Sequence, residues 1–138
     1  MHTVFHPTGS TDSEHALCWL MYELAKKHAS LPLVEHLTQT MLELVPEFAQ
    51  DGSSNFLLSN RQGLRAHCST KLHSLERAYP SSKVQLRDDE LPVNFAPWTT
   101  QHDRVVITVT EPLTTNQSSA ALNSGELAVC VDGRRGPI

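Results

Sequence analysis

The sequence lacks the features that mark membrane, secreted and nucleic-acid-binding proteins. No apolar run approaches the roughly 20 residues that cross a bilayer, so we predict no transmembrane helix. The first ten residues contain neither a basic segment nor a leucine-rich core, so we expect no secretory signal. Lys and Arg number 11 against 15 Asp and Glu, a formal net charge of −4, which gives no electrostatic footprint for nucleic acid or an anionic membrane.

Cysteine is also scarce, with three scattered residues and no CxxC pair. This usage is typical of reduced thiols in a cytoplasmic protein, and it favours neither a disulfide framework nor a zinc site. Cys18 and Cys130 lie in apolar segments and are expected in or near the core, whereas Cys68 could face a cleft from a hairpin. No partner base is evident for any of them, so catalysis by an internal cysteine is not predicted.

Metal and nucleotide motifs are missing as well. The eight histidines form no HxxxH or HExxH spacing on a predicted helix, and none is paired with a cysteine at a ligand spacing. Glycine-rich phosphate loops are absent. We therefore predict no metal, no nucleotide and no other cofactor.

The residues that are present predict two helices in the first third of the chain. Apolar residues recur at helical spacing over 15–28. A second helix is expected to start near Pro32, with Ser30 as a possible cap, and Pro46 should end or kink it.

The remainder predicts strands without the βαβ alternation of a parallel sheet. Alternating residues indicate a hairpin whose arms are 55–59 and 64–70. The β-branched run 104–110 suits a strand covered on both faces. Further strands are expected over 72–78, 83–86 and 126–131, with a loop over 114–125 and a frayed tail over 133–138. Two helices followed by antiparallel strands predict an α+β fold.

The segment Thr11-Asp12-Ser13-Glu14 has the pattern of a helix capping box. Thr11 can accept a hydrogen bond from the Glu14 amide while the Glu14 carboxylate reaches back to the Thr11 amide. Asp12 would then lie in the first helical turn, where the helix dipole stabilises a carboxylate by ~0.3–1 kcal/mol. Residue types alone therefore favour a structural role for Asp12.

Five segments that follow one another in a fixed order indicate a family more specifically than any single motif does. They are FHPTGSTDSEHALCWLMYELAKK, NFLLSN, LRAHCSTKL, VVITVTEPLTTN and GELAVCVDG. Together they resemble the C-terminal half of a class II glutamine amidotransferase of the stand-alone bacterial branch, over residues 5–133. The resemblance implies part of a four-layer αββα sandwich of the N-terminal nucleophile hydrolase type. It also implies that residues 1–138 form a single, incomplete glutamine amidotransferase domain.

The resemblance gives Asp12 a second role. In that family the aspartate of the T-D-[ST]-E segment holds the α-amino group of bound glutamine, and Asp12 occupies that position. A capping box would fix the backbone and leave this carboxylate free to pair with an ammonium group. The resemblance thus implies glutamine or a γ-glutamyl amide as ligand, with Asp12 as the substrate-binding residue. It implies no nucleic-acid or membrane partner.

The catalytic part of the family pattern is not found. Its nucleophile is a cysteine that becomes residue one after methionine removal and uses its own α-amino group as base, but here His2 follows Met1. The family's carboxylate-binding arginine and its His-Asn-Gly stretch would lie upstream of Phe5. Smaller departures are Asn60-Arg61 in place of an Asp-Gly turn and the loss of a tryptophan around Ser119. We therefore expect no catalytic residue and no glutaminase activity in this chain alone.

Three interpretations remain open at this stage. The chain is a truncated amidotransferase, or one half of a split enzyme whose other chain supplies the N-terminal half, or a non-catalytic glutamine-binding or interaction module. Half of a sandwich should leave unpaired sheet edges and an apolar face, so we expect marginal stability of the isolated chain.

Overall fold

The computed structural model describes residues 5–50, 52–80, 83–87, 92–115 and 117–136. It divides into two compact units, Met1–Gly52 and Ser53–Ile138. The first unit holds helices α1 (Asp12–Lys27) and α2 (Val34–Phe48). The strands of the second are β1 (Phe56–Ser59), β2 (Leu64–His67), β3 (His73–Ala78), β4 (Lys83–Gln85), β5 (Pro92–Asn94), β6 (Arg104–Val109), β7 (Ala120–Ala121), β8 (Leu127–Val131) and β9 (Arg134–Gly136), with a 3₁₀ turn at Ala96–Trp98.

The two helices of the first unit pack against each other. The rings of Trp19 and Phe48 have centroids 5.8 Å apart, and Lys27 Nζ lies 2.6 Å from Glu43 Oε2. The buried apolar residues of the unit are Leu20, Leu37, Met41, Leu44 and Val45. Within the described residues, no helix combines the length and the apolar character that crossing a membrane would require.

The start of α2 differs from the prediction. Ser30 does not cap it, because the helix begins at Val34 with Leu33 at the N-cap and no side-chain hydrogen bond there. Pro46 lies inside the helix, which continues for two residues beyond it and ends at Phe48. A proline removes one backbone donor, and this close to the C-terminus few helical hydrogen bonds follow it.

The second unit contains antiparallel sheets. One has the strand order β1-β2-β8-β9, another β6-β3-β7, and β4 pairs with β5 alone. The predicted first hairpin is confirmed, with Phe56 opposite His67 and Ser59 opposite Leu64. The two helices followed by antiparallel strands are the α+β architecture that the sequence predicts.

A small apolar core and a polar network join the two larger sheets. The core consists of Ala66, Cys68, Leu72, Leu122 and Ala128. The Arg135 guanidinium bonds to the Glu126 carboxylate and lies 3.2 Å from Ser74 Oγ, while the Arg135 amide donates to Glu76 Oε1 at 2.9 Å. Strand β9 is thereby connected to β3 of the other sheet.

Two predicted loops contain strands. Residues 134–136 are not a frayed tail, because Asp132 (φ 49°) and Gly133 (φ 69°) form a tight turn that folds β9 back onto β8. Asp-Gly is a strong sequence signal for such a turn, since both central residues need positive φ. Strand β7 lies within the predicted loop 114–125 and pairs with His73 and Ser74.

The prediction for β6 was wrong in one respect. The strand exists, but none of its residues is buried, and Val105 is 47% exposed. Arg104 and Val105 are exposed and the other four residues are half-buried, and β6 also lies at the edge of its sheet, next to β3.

The turn between β1 and β2 gives a stability prediction. Arg61 has φ of 70°, a conformation that costs a non-glycine residue about 1–2 kcal/mol. Replacing Arg61 with glycine should therefore raise the free energy of unfolding by about 1 kcal/mol, since glycine carries an entropic cost of its own. Denaturant titration measures this. The neighbouring Gln62→Gly variant serves as control and should lower stability; an equal loss in Arg61→Gly would contradict the assigned strain.

Candidate functional site

The segment before α1 forms a helix cap. Thr11 has extended backbone angles (φ −82°, ψ 143°), and its Oγ1 accepts a hydrogen bond from the Glu14 amide at 3.3 Å. The Thr11 carbonyl accepts from the amides of Glu14 and His15 at 3.1 and 3.2 Å. The predicted start of the helix is confirmed, and it leaves Asp12 as the first helical residue.

The return half of the capping box differs from the prediction. The Glu14 carboxylate accepts from the Gly9 amide at 3.1 Å and from the Thr11 hydroxyl at 3.2 Å, rather than from the Thr11 amide. A Cβ at residue 9 would overlap the Glu14 carboxylate, so the glycine permits this close approach. Glu14 thus ties the residues on both sides of Ser10 to the helix.

Asp12 is exposed at this fixed helix tip. Within the described ranges, no hydrogen bond or ion pair engages its carboxylate, whereas the carboxylate of Glu14 is held by the cap. The unpaired amides of the first turn stabilise a negative charge at this position. The Asp12 carboxylate is therefore exposed and accessible to a cationic group, and the hydrogen bonds of Gly9, Thr11 and Glu14 fix the backbone that carries it.

Two of the three cysteines are buried. The prediction that Cys68 could face a cleft was wrong, because Cys68 is fully buried and its Sγ lies 3.7 Å from the Leu122 carbonyl oxygen. Cys130 is buried in β8, and this burial raises the pKa of its thiol. Cys18 is half-buried on α1.

These positions predict an alkylation pattern. Iodoacetamide should modify Cys18 rapidly in the folded protein and leave Cys68 and Cys130 unmodified, because thiolates react and buried thiols are inert. Intact-mass spectrometry should show a single adduct before denaturation and three after it. Rapid native labelling of Cys68 would contradict the buried placement.

Two buried polar residues on β2 were not predicted. Arg65 and His67 are 0% and 2% exposed, although both are polar residues that alternate with apolar ones along the strand. Arg65 donates to Asn60 Oδ1 at 3.0 Å, and burial lowers the pKa of its guanidinium. His67 Nδ1 lies 3.1 Å from the Ser54 carbonyl oxygen. Asn60, one of the departures from the family pattern, thus places an amide oxygen against the buried Arg65.

The described part of the chain contains no group of three His, Cys, Asp or Glu side chains placed to hold a metal. A shallow surface groove of the second unit is lined by Arg87 and residues 109–113. There Lys71 Nζ lies 2.9 Å from Glu111 Oε1, and this pairing lowers the pKa of the exposed Glu111 carboxyl.

Comparison with known proteins defines the class to which this α+β fold belongs. The family model for class II glutamine amidotransferases matches residues 1–137, almost the whole chain. The chain therefore belongs to the class II glutamine amidotransferase family.

Particular relatives agree with this assignment. YafJ of Escherichia coli K12, whose name describes it provisionally as a glutamine amidotransferase, is 34% identical over 132 residues, which are 95% of this chain and 52% of YafJ. A Haemophilus influenzae protein of the same description is 33% identical over 129 residues, 94% of this chain and 44% of that protein. The crystal structure of a predicted glutamine amidotransferase from Pseudomonas aeruginosa PA01 matches with a TM-score of 0.80 and 31% identity, over 95% of this chain and 52% of that one.

The chain spans about half the length of the relatives that it matches. The match nevertheless includes both units of the structure, since it extends over 95% of this chain.

Proposed function

We propose that residues 1–138 form the half of a class II glutamine amidotransferase that holds the α-amino group of the substrate. Asp12 is the proposed substrate-binding residue, and glutamine or a γ-glutamyl amide is the proposed ligand. The observation that carries this proposal is the unengaged carboxylate at the capped start of α1. The hydrogen bonds of the cap are made by Thr11 and Glu14. The Asp12 carboxylate is therefore free to bind the α-amino group of a ligand.

Asp12 would recognise the substrate through the positive charge of its α-amino group. An ammonium group bound by a carboxylate makes a charge-assisted hydrogen bond, roughly twice as strong as a neutral one. If the pocket around that pair is desolvated, amides that lack an α-amino group leave Asp12 unpaired and are rejected. This discrimination would separate glutamine from simple amides of similar length.

The reaction in the complete site would be hydrolysis of the side-chain amide. A cysteine thiolate attacks the amide carbon, ammonia leaves, and water then cleaves the resulting γ-glutamyl thioester to give glutamate. We propose that residues outside these 138 supply this cysteine with a free α-amine. Cys68 and Cys130 are unsuited to the role because both are buried.

This division of labour predicts an activity pattern. The chain alone should release no glutamate from glutamine. A fusion that places the unmatched half of YafJ before Met1 should gain glutaminase activity, and the Asp12→Ala change should lower kcat/KM of the fusion at least tenfold. Glutamate release by the unfused chain, dependent on Asp12, would contradict the proposed division.

A split enzyme and a truncated one differ only in where the other half is encoded. Translation of the DNA immediately upstream of Met1 separates them. An in-frame or frame-shifted segment with a Met-Cys start and a His-Asn-Gly stretch would favour truncation, whereas a separate neighbouring gene with those features would favour a split enzyme.

A non-catalytic glutamine-binding module is the second candidate. Arg61 favours it modestly, because a strained residue stands where the family usually has a turn glycine. The fusion experiment distinguishes it, since a module that has lost catalysis should bind glutamine through Asp12 and yet gain no activity on fusion.

A further inference from the structure

The Glu14 side chain holds the segment that leads directly into Asp12. Its Oε1 accepts a hydrogen bond from the Gly9 amide at 3.1 Å, and its Oε2 accepts one from the Thr11 hydroxyl at 3.2 Å. The backbone amide of Glu14 donates to Thr11 Oγ1 at 3.3 Å. Glu14 therefore bonds to both ends of the segment 9–11, and Asp12 is the next residue along the chain.

The two carboxylates of this helix start differ in their hydrogen bonding. Both oxygens of Glu14 are engaged, and its side chain is half-buried. A ligand ammonium group that bound to Glu14 would have to displace the hydrogen bonds from Gly9 and Thr11. Asp12 is exposed and, within the described ranges, has no such bond to lose. Glu14 is therefore suited to holding the backbone, and Asp12 to contacting a ligand.

Gly9 is required for this arrangement because of space. A Cβ at residue 9 would overlap Glu14 Oε2, the end of a flexible side chain. The φ of Gly9 is not among the positive values of the described glycines, so a side chain at this position is not excluded by backbone strain. Alanine at residue 9 should therefore push the Glu14 carboxylate aside and leave the backbone free of a clash.

We infer that Glu14 is a positioning residue for Asp12 and that Gly9 makes this role possible, an inference that rests on the proposed function. A binding group must be held to within about 0.5 Å by supporting hydrogen bonds if it is to recognise a small charged group. Without the bonds of Glu14, the segment 9–11 loses two of its ties to α1, and the Asp12 carboxylate is less well placed for an ammonium group. Glu14 thus raises the affinity for ligands with an α-amino group without touching them.

Three variants test this role by calorimetry with glutamine. Glu14→Ala removes both acceptors, and Gly9→Ala displaces them; each should lower the affinity by about threefold or more, as part of the loss expected when the Asp12 contact is removed. Glu14→Gln is the matched control, because its amide oxygen can accept from Gly9 and its amide group can donate to Thr11 Oγ1. Its affinity should stay within about twofold of the unchanged chain. A loss in Glu14→Gln equal to that in Glu14→Ala would assign the effect to charge and overturn the inference.

A second ligand separates positioning from a general loss of structure. The ligand 4-carbamoylbutanoate is glutamine without its α-amino group, so it cannot pair with Asp12. Glu14→Ala and Gly9→Ala should leave its affinity unchanged. In an Asp12→Asn background the same two changes should cost no further affinity for glutamine, because Glu14 acts through Asp12. Equal losses for both ligands, or an undiminished loss in the Asp12→Asn background, would show that Glu14 is structural only.

The positioning role and the proposed function can be refuted separately. Unchanged glutamine affinity in Glu14→Ala and Gly9→Ala, together with a loss in Asp12→Asn, would refute the positioning role and leave the substrate site intact. Unchanged affinity in Asp12→Asn itself would refute the proposed function, and the positioning role with it. Circular dichroism of each variant confirms that the helices are retained.

Discussion

Replacing Asp12 with alanine is expected to lower the affinity of the chain for glutamine at least tenfold. A hydrogen bond to a charged group contributes about 1.5–3 kcal/mol, which corresponds to about 10-fold or more in Kd. The loss should be accompanied by little change in fold, because Thr11 and Glu14 make the hydrogen bonds of the cap without Asp12. Isothermal titration calorimetry with glutamine measures the affinity, and circular dichroism monitors the helix.

The matched control for this variant is Glu35→Ala. Glu35 is also an exposed first-turn carboxylate, on the neighbouring helix α2, so its removal takes away a similar helix-dipole interaction. Glu35→Ala should leave glutamine binding unchanged. An equal loss in both variants would show that general negative charge, rather than the position of Asp12, determines binding.

Replacing Gly133 with alanine should destabilise the second unit by about 3 kcal/mol. The added Cβ would lie 2.5 Å from the Arg104 carbonyl oxygen and 2.6 Å from its carbon, both of which are backbone atoms that cannot rotate away. The positive φ of 69° adds strain of about 1–2 kcal/mol, and overpacking adds a further 1–3 kcal/mol. Thermal or denaturant unfolding measures the loss.

The Gly125→Ala variant separates the cost of backbone strain from the cost of a steric clash. Gly125 also has a positive φ, 84°, but a Cβ there would meet nothing within 4 Å. This variant should therefore lose only the strain of about 1–2 kcal/mol. If both alanine variants lost the same stability, the contact between the Gly133 turn and Arg104 would be refuted as the cause.

Local sequence signals were sufficient to predict where helix α1 begins. The capping-box pattern predicted the start of α1 at Thr11, whereas the Glu14 carboxylate bonds to the Gly9 amide and the Thr11 hydroxyl instead of the Thr11 amide. The failed Ser30 cap shows the limit of such signals, since α2 starts at Val34 without any side-chain cap. The Asp132-Gly133 turn was missed although its signal is equally local.

Burial in the second unit could not be predicted in the same way. Arg65 and His67 alternate with apolar neighbours, but tertiary packing buries both faces of β2, so that Arg65 is as fully covered as Ala66. Cys68 was expected near a cleft because the first hairpin alone does not show that residues 122 and 128 close over it. For Asp12, residue types alone favoured a structural role, and only the family resemblance implied the binding role that stays a prediction.

One measurement tests the central claim most directly: calorimetry of the chain and of its Asp12→Asn variant with glutamine and with 4-carbamoylbutanoate, which is glutamine without its α-amino group. If Asp12 pairs with the ammonium, removing either partner should weaken binding at least tenfold, and removing both should cost no more than removing one, within the roughly 0.5 kcal/mol precision of such cycles. Independent, additive losses, or equal affinity of the unchanged chain for both ligands, would contradict the assignment of Asp12 to the substrate amine.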